Sequence, residues 1–230
     1  MSVRIHDGVT DYEKHNVAKR ATWVAPRRHR FYRSLGKRFL DIFLVVMALP
    51  IVLPMVVMLS IMIMMDGHSP FYRQERVGRG GRIFKLWKLR TMVPNAKAEL
   101  EKYLAENEEA RREWDAYQKL TRDPRITKFG HFLRKSSLDE IPQLWNVLTG
   151  DMSLVGPRPM MPEQRDLYPG RAYYALRPGL TGMWQVSDRN ASTFAQRADF
   201  DTTYERDLSA GLDAKLIVAT VGVVLRGTGQ

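Results

Sequence analysis

The chain has 230 residues, 44% of them hydrophobic, and 36 Lys+Arg against 25 Asp+Glu leave a formal charge of +11. That composition excludes a disordered basic tail, and the absence of Cys excludes a disulfide framework, a thiolate zinc site and a cysteine nucleophile. The five His are scattered without an i, i+4 ligand pair, which argues against a zinc enzyme, while the excess charge points to an anionic partner: nucleic acid, a phospholipid surface or a phosphorylated metabolite.

In chain order, residues 1–34 read as a polar N-terminal arm and residues 35–66 as a membrane anchor. Ile42 to Met65 is an uncharged run of 24 residues. As a straight helix it would be about 36 Å long, enough to cross a hydrocarbon core of about 30 Å. Pro50 and Pro54 lie inside it, and each removes a backbone donor and crowds the preceding turn, costing about 3 kcal/mol. Basic residues flank both ends, from Lys19 to Arg38 upstream and from Arg73 to Arg90 downstream. Cytoplasmic flanks carry such excess charge, so a re-entrant helix-break-helix entering and leaving by one leaflet satisfies both sides. The alternative is a kinked spanning helix.

Residues 67–230 read as one mainly helical α/β or α+β unit. Residues 70–92 predict two short strands around a Gly-rich turn at Gly78, Gly80 and Gly81. Residues 95–120 predict a solvated helix with a partial apolar stripe of Leu100, Tyr103, Leu104, Trp114, Tyr117 and Leu120. Residues 125–150 predict helix, turn, helix, and residues 151–190 are rich enough in Pro and Gly to read as loop. Leu208 to Leu225 suits an amphipathic helix lying on the core or on the bilayer.

The stretch from Ser136 to Pro159 contradicts itself locally. Ser137 to Glu140 resembles a capping box, but Pro142 would then fall where its missing N–H is needed. A helix start at Asp139 puts Pro142 among donors that lack partners anyway, and places Asp139 where the helix dipole favours an ionised carboxylate. Asp139 and Glu140, with Arg134 and Lys135 just upstream, have the composition to hold a divalent metal and stay charged; capping is the alternative. Arg158 and Arg177 sit beside prolines that restrict their backbones, which suits bidentate phosphate contact, with solvated turn arginines as the alternative. Trp184 and Tyr204 read as core aromatics, or else as platforms for a nucleobase.

Six ordered motifs carry a resemblance: Lys37-Arg38-x-x-Asp41, Lys88-Leu-Arg-Thr-Met92, Asp123-x-Arg-x-Thr-x-x-Gly130, Leu133 to Gln143, Asn146 to Pro159, and Arg177-Pro-Gly-Leu-Thr-Gly-x-Trp-Gln185. Over about residues 35–225 the chain resembles the bacterial sugar transferases, monotopic phosphoglycosyl transferases acting on polyprenyl phosphate, and most of all their small members that initiate exopolysaccharide. The resemblance implies transfer of galactose-1-phosphate or glucose-1-phosphate from a UDP-sugar to undecaprenyl phosphate with release of UMP, at the cytoplasmic face of a bacterial inner membrane. It implies Asp139 as nucleophile and ligand to Mg²⁺, and Glu140 as its assistant. Lys88, Arg90, Arg134, Arg158 and Arg177 would neutralise phosphate charge. The implied partners are the two substrates, anionic lipid, a second copy of the chain and downstream glycosyltransferases. The family's Ser-Pro pair at the membrane break is Leu53-Pro54 here. Two other classes compete. One is a non-catalytic membrane scaffold of a polysaccharide assembly complex; the other is a nucleic-acid binder, disfavoured because the basic residues do not gather on one recognition element.

Overall fold

The computed structural model describes residues 31–117, 120–187 and 193–225, so most of the expected N-terminal arm lies outside the described residues. A π-helical turn at Tyr32–Gly36 leads into α1 (Lys37–Met64). Together they form the one helix among the described residues that is long and apolar enough to cross a membrane. Pro50 and Pro54 both lie within α1. The expected break is therefore, in the backbone, a single helix with two interrupted hydrogen bonds: a proline removes one bond and bends a helix without having to end it.

Both ends of α1 rest on the same body. Near its start, Val45 packs with Phe84, Leu86, Val147 and Met152; near its end, Leu59 and Ile63 pack with Leu89 and Leu133. Between them no residue from 46 to 58 is buried. Polar clamps secure each end. Arg38 donates to the carbonyls of Val147 and Leu148, and Asp41 accepts from Ser153 Oγ at 2.8 Å and Leu154 N at 3.0 Å. At the far end Arg90 holds Asp66 through two contacts, at 2.6 and 2.7 Å, and reaches the Ile63 carbonyl.

The predicted strands are β1 (Phe71–Val77) and β2 (Ile83–Leu89), an antiparallel hairpin closed by a turn in which Gly80 and Gly81 take positive φ. The predicted single helix over 95–120 is two, α2 (Ala96–Glu106) and α3 (Glu108–Tyr117). Asn107 divides them because its side chain accepts from Ala110 N at 3.0 Å, capping the second helix. Next come α4 (Lys128–Lys135), a 3-10 turn at Leu138–Glu140, and α5 (Gln143–Thr149). Asn146 fastens α5 to β2 by accepting from Trp87 N and donating to the Lys85 carbonyl, as a strand would.

The Pro/Gly-rich stretch hides a two-stranded parallel pair, β3 (Ser153–Val155) with β4 (Gly179–Thr181). Its backbones approach so closely that a Cβ on Gly156 would lie 2.3 Å from the Arg177 carbonyl oxygen, so glycine is required there. Short helices α6 (Ala172–Ala175) and α7 (Met183–Val186) precede α8 (Arg197–Asp207) and α9 (Ala210–Leu225). α9 differs from a polar-outside amphipathic helix. Its acid, Asp213, is buried inward, Leu216 packs with Val155 and Tyr204, and Val218 and Val221 are exposed.

Candidate active site

Asp139 stands in the 3-10 turn between α4 and α5, not at a helix start. α5 begins at Gln143 with Pro142 as its N-cap, where a φ of −59° is native to proline and no donor is needed. Ser137, the other candidate cap, makes no capping hydrogen bond and takes φ 57° instead, turning the chain sharply before the acidic pair. A left-handed non-glycine residue is strained, and its position here aims the two residues that follow.

The turn is held against the hairpin. Thr127 caps α4 by accepting from Gly130 N at 2.8 Å, and a Cβ on Gly130 would sit 2.0 Å from the Thr91 carbonyl oxygen. That contact brings α4 directly onto the end of the hairpin, where Arg134 Nε donates to Thr91 Oγ1 at 2.9 Å. Asp123 grips Arg125 through two contacts at 2.6 and 2.8 Å, closing the loop before α4. The Asp-x-Arg-x-Thr-x-x-Gly motif thus serves to position Arg134 beside the acidic turn.

At the centre, Asp139 is 7% exposed, and Lys88 Nζ lies 3.8 Å from its Oδ2 and 2.7 Å from Glu140 Oε1. Apart from its own backbone N–H, Asp139 accepts no hydrogen bond among the described residues. The two neighbours are driven apart electrostatically. Burial pushes the Asp139 carboxyl above the usual range, against Lys88 and Arg134, with Glu140 adding to the rise. Burial works in the same direction on Glu140, but Lys88, Arg158 and Arg76 outweigh it and hold that carboxyl below its usual range.

Beyond Glu140 the sequence motifs missed two arginines. Arg76 and Arg197 join Arg158 in one basic group. Arg197 lies over the Trp184 ring at 4.1 Å and Arg158 approaches it at 5.7 Å. Arg76 Nε and Arg197 Nε are buried without a hydrogen-bond partner. Arg76 was readable only as one of many flanking charges, and Arg197 carries no local signal at all, since it reaches the group through the packing of α8 on α6 and α7. Trp184 and Tyr204 are both buried, as expected of core aromatics.

Of the expected residues, Asp139, Glu140, Lys88, Arg134 and Arg158 converge. Two do not. The Arg90 guanidinium is engaged by Asp66, Ser69 and Ile63 at the end of α1. Arg177 donates its Nε to the Gly150 carbonyl at 3.0 Å and lines a separate cavity with Arg79. The donor set near Asp139 suits magnesium in one way only. No group of three or more His, Asp or Glu side chains able to cage a metal occurs among the described residues. Mg²⁺ is commonly held by one or two carboxylates completed by substrate phosphates and water, and Asp139 with Glu140 fits that pattern.

Residues 32–227 match the family described as Bacterial sugar transferase. The chain is 47% identical over 195 residues to the UDP-galactose-lipid carrier transferase of Erwinia amylovora, covering 84% of this chain and 41% of the relative. It is 43% identical over 208 residues to the undecaprenyl-phosphate galactose phosphotransferase of Salmonella typhimurium, covering 90% and 43%. With the exopolysaccharide production protein ExoY of Rhizobium meliloti it shares 40% over 200 residues, covering 86% and 88%. It therefore spans about two fifths of the first two relatives but most of the third.

Proposed function

The chain belongs to the bacterial sugar transferase family, and from that premise we propose that it transfers galactose-1-phosphate or glucose-1-phosphate from a UDP-sugar to undecaprenyl phosphate, using Asp139 as the nucleophile. One observation carries the assignment: a buried carboxylate with no outside hydrogen-bond donor, set between a lysine and a cluster of arginines.

An Asp139 oxygen attacks the sugar-linked phosphorus, and the bond from that phosphorus to the bridging oxygen breaks, releasing UMP. The phosphate oxygen of the lipid then attacks the same phosphorus, the acyl-phosphate bond breaks, and the Asp139 carboxylate is restored. Two displacements of this kind give ping-pong kinetics. Burial supports the role, because a carboxylate that its surroundings stabilise poorly is more basic and a stronger nucleophile once ionised. Lys88 keeps Glu140 ionised and lies close enough to Asp139 to offset charge on the transferring phosphoryl group. Arg134, Arg158 and the two additional arginines supply phosphate contacts. Mg²⁺, when bound by Asp139 with Glu140, supplies Lewis-acid neutralisation of the diphosphate.

The docking of α1 supports a monotopic, re-entrant anchor, which we place on the cytoplasmic face of the inner membrane because both its flanks are basic. A spanning helix carries its two ends to opposite sides of the bilayer, whereas here both ends rest on β2. Val45 and Ile63 would stand about 27 Å apart along a straight helix. Their partners Phe84 and Leu89 are separated by about 16 Å of strand. The side chains at the two ends bridge the difference, and the exposed apolar middle between the docked ends would lie in lipid.

The test is to incubate the full chain with labelled UDP-galactose or UDP-glucose in the absence of lipid acceptor, quench, and map the adduct by mass spectrometry. A hexose-phosphate on Asp139 is expected. An adduct on another residue, or wild-type turnover by Asp139→Asn, would overturn the assignment, and undiminished turnover in EDTA would remove the metal.

A further inference from the structure

The Gly-rich hairpin turn is left unused by the transfer centre, yet it borders a cavity of about 570 Å³, within the usual range for small-molecule sites. The turn residues Arg79 and Arg82 line it together with Gly150, Asp151 and Arg177. Two of the lining cations are already matched: Arg33 to Glu205 at 2.6 Å and Arg82 to Asp151 at 2.9 Å. Arg79 and Arg177 form no salt bridge among the described residues, and Arg177 spends only its Nε, on Gly150. Arg177 is held among like charges, its guanidinium disfavoured first by burial and then by Arg79 and Arg38. Asp151, the acid on this lining, is taken by Arg82, and Asp41 offsets only part of the opposition at Arg177, so an anion joining Arg79 and Arg177 would relieve their mutual repulsion.

We propose that this cavity is a second phosphate-binding site, in which Arg79 and Arg177 clamp one phosphate or diphosphate group, with the Tyr174 ring on the cavity wall beside the group that carries it. It is separate from the transfer centre. Arg82 immediately precedes β2 and Lys88 lies near its far end, six residues and so about 20 Å away. It also lies beside Arg38, four residues before the apolar run, so either a lipid headgroup or a soluble phosphate ester could supply the anion.

Phenylglyoxal footprinting of the full chain in phosphatidylcholine nanodiscs, read residue by residue by mass spectrometry, tests the site without any activity assay. Inorganic pyrophosphate at about ten times its Kd should slow modification of Arg79 and Arg177 by about tenfold. Arg112, exposed on α3, should react at an unchanged rate. Replacing part of the phosphatidylcholine with phosphatidylglycerol, without pyrophosphate, separates the sources. Protection there identifies a lipid headgroup, and protection by pyrophosphate alone identifies a soluble phosphate. In Arg177→Gln, with its fold verified by circular dichroism, protection of Arg79 should be lost. Equal rates with and without both anions, protection extending to Arg112, or undiminished protection of Arg79 in Arg177→Gln would each overturn the proposal.

Discussion

Asp213 and Asp139 are both buried carboxylates with a lysine nearby, and their surroundings differ in almost every other respect. Asp213 receives Lys37 Nζ, the Tyr32 hydroxyl and the Tyr204 hydroxyl, each at 2.6 Å, so both its oxygens are occupied. Asp139 has Lys88 at 3.8 Å, the charge of Arg134 nearby and, as a hydrogen-bond donor, only its own amide. The first carboxylate ties the start of α1 to α8 and α9 and has three of its roughly four acceptor positions filled. The second has been taken out of water without being given partners, which costs stability and leaves it able to react. Burial alone does not mark a reactive acid; burial without a full set of donors does.

The largest expected effect follows from exchanging the charge at the unsaturated site. Asp139→Asn should lower phosphosugar transfer by about three orders of magnitude or more, as loss of a nucleophile does. Thermal unfolding should show no loss of stability. The sign follows from the raised carboxyl: the folded state holds that proton more tightly than the unfolded chain, so ionisation weakens the fold as pH climbs from the ordinary carboxylate range through the raised value. The stability advantage of Asp139→Asn should therefore be absent below that window and grow across it.

The saturated site should respond in the opposite way. Asp213→Ala leaves Lys37 uncompensated in a buried setting and should cost about 3 kcal/mol in chemical denaturation. Where the protein remains folded, its chemistry should be retained. A smaller effect is expected at Lys88. Because Lys88 lowers both acidic neighbours, Lys88→Gln should shift the acid limb of the pH–rate profile to higher pH; an unmoved limb would disconnect Lys88 from Asp139. Smallest is Tyr204→Phe, which removes one of three donors to Asp213 and should cost about 1 kcal/mol with transfer unaffected.

The hairpin and the helix-turn-helix could be read from the sequence because their signals are local: alternation around Gly78 to Gly81, and Pro142 with the acidic pair. The break at Asn107 was also a local signal, carried by one capping side chain. The convergence of Lys88 with Glu140 rested on the resemblance, since 52 residues separate them and only the packing of β2 on the acidic turn joins them. Arg158 and Arg177 gave the same signal, an arginine beside proline, and went to different places. In the parallel register Ser153 faces Gly179 and Val155 faces Thr181. Their backbones stay close, with Gly156 packed on the Arg177 carbonyl, and what separates them is where each side chain lands: Arg158 by Trp184 and Glu140, Arg177 on the Gly150 carbonyl.

By itself, then, the sequence determined which segments are apolar, where the chain turns and which residue types are available for phosphate chemistry, because these depend on neighbours a few positions away. Which acid is left without donors, which arginines meet it, and that both ends of α1 rest on one body were decided by the tertiary structure. Each depends on segments distant in the chain, and only closing the loops between them makes those contacts.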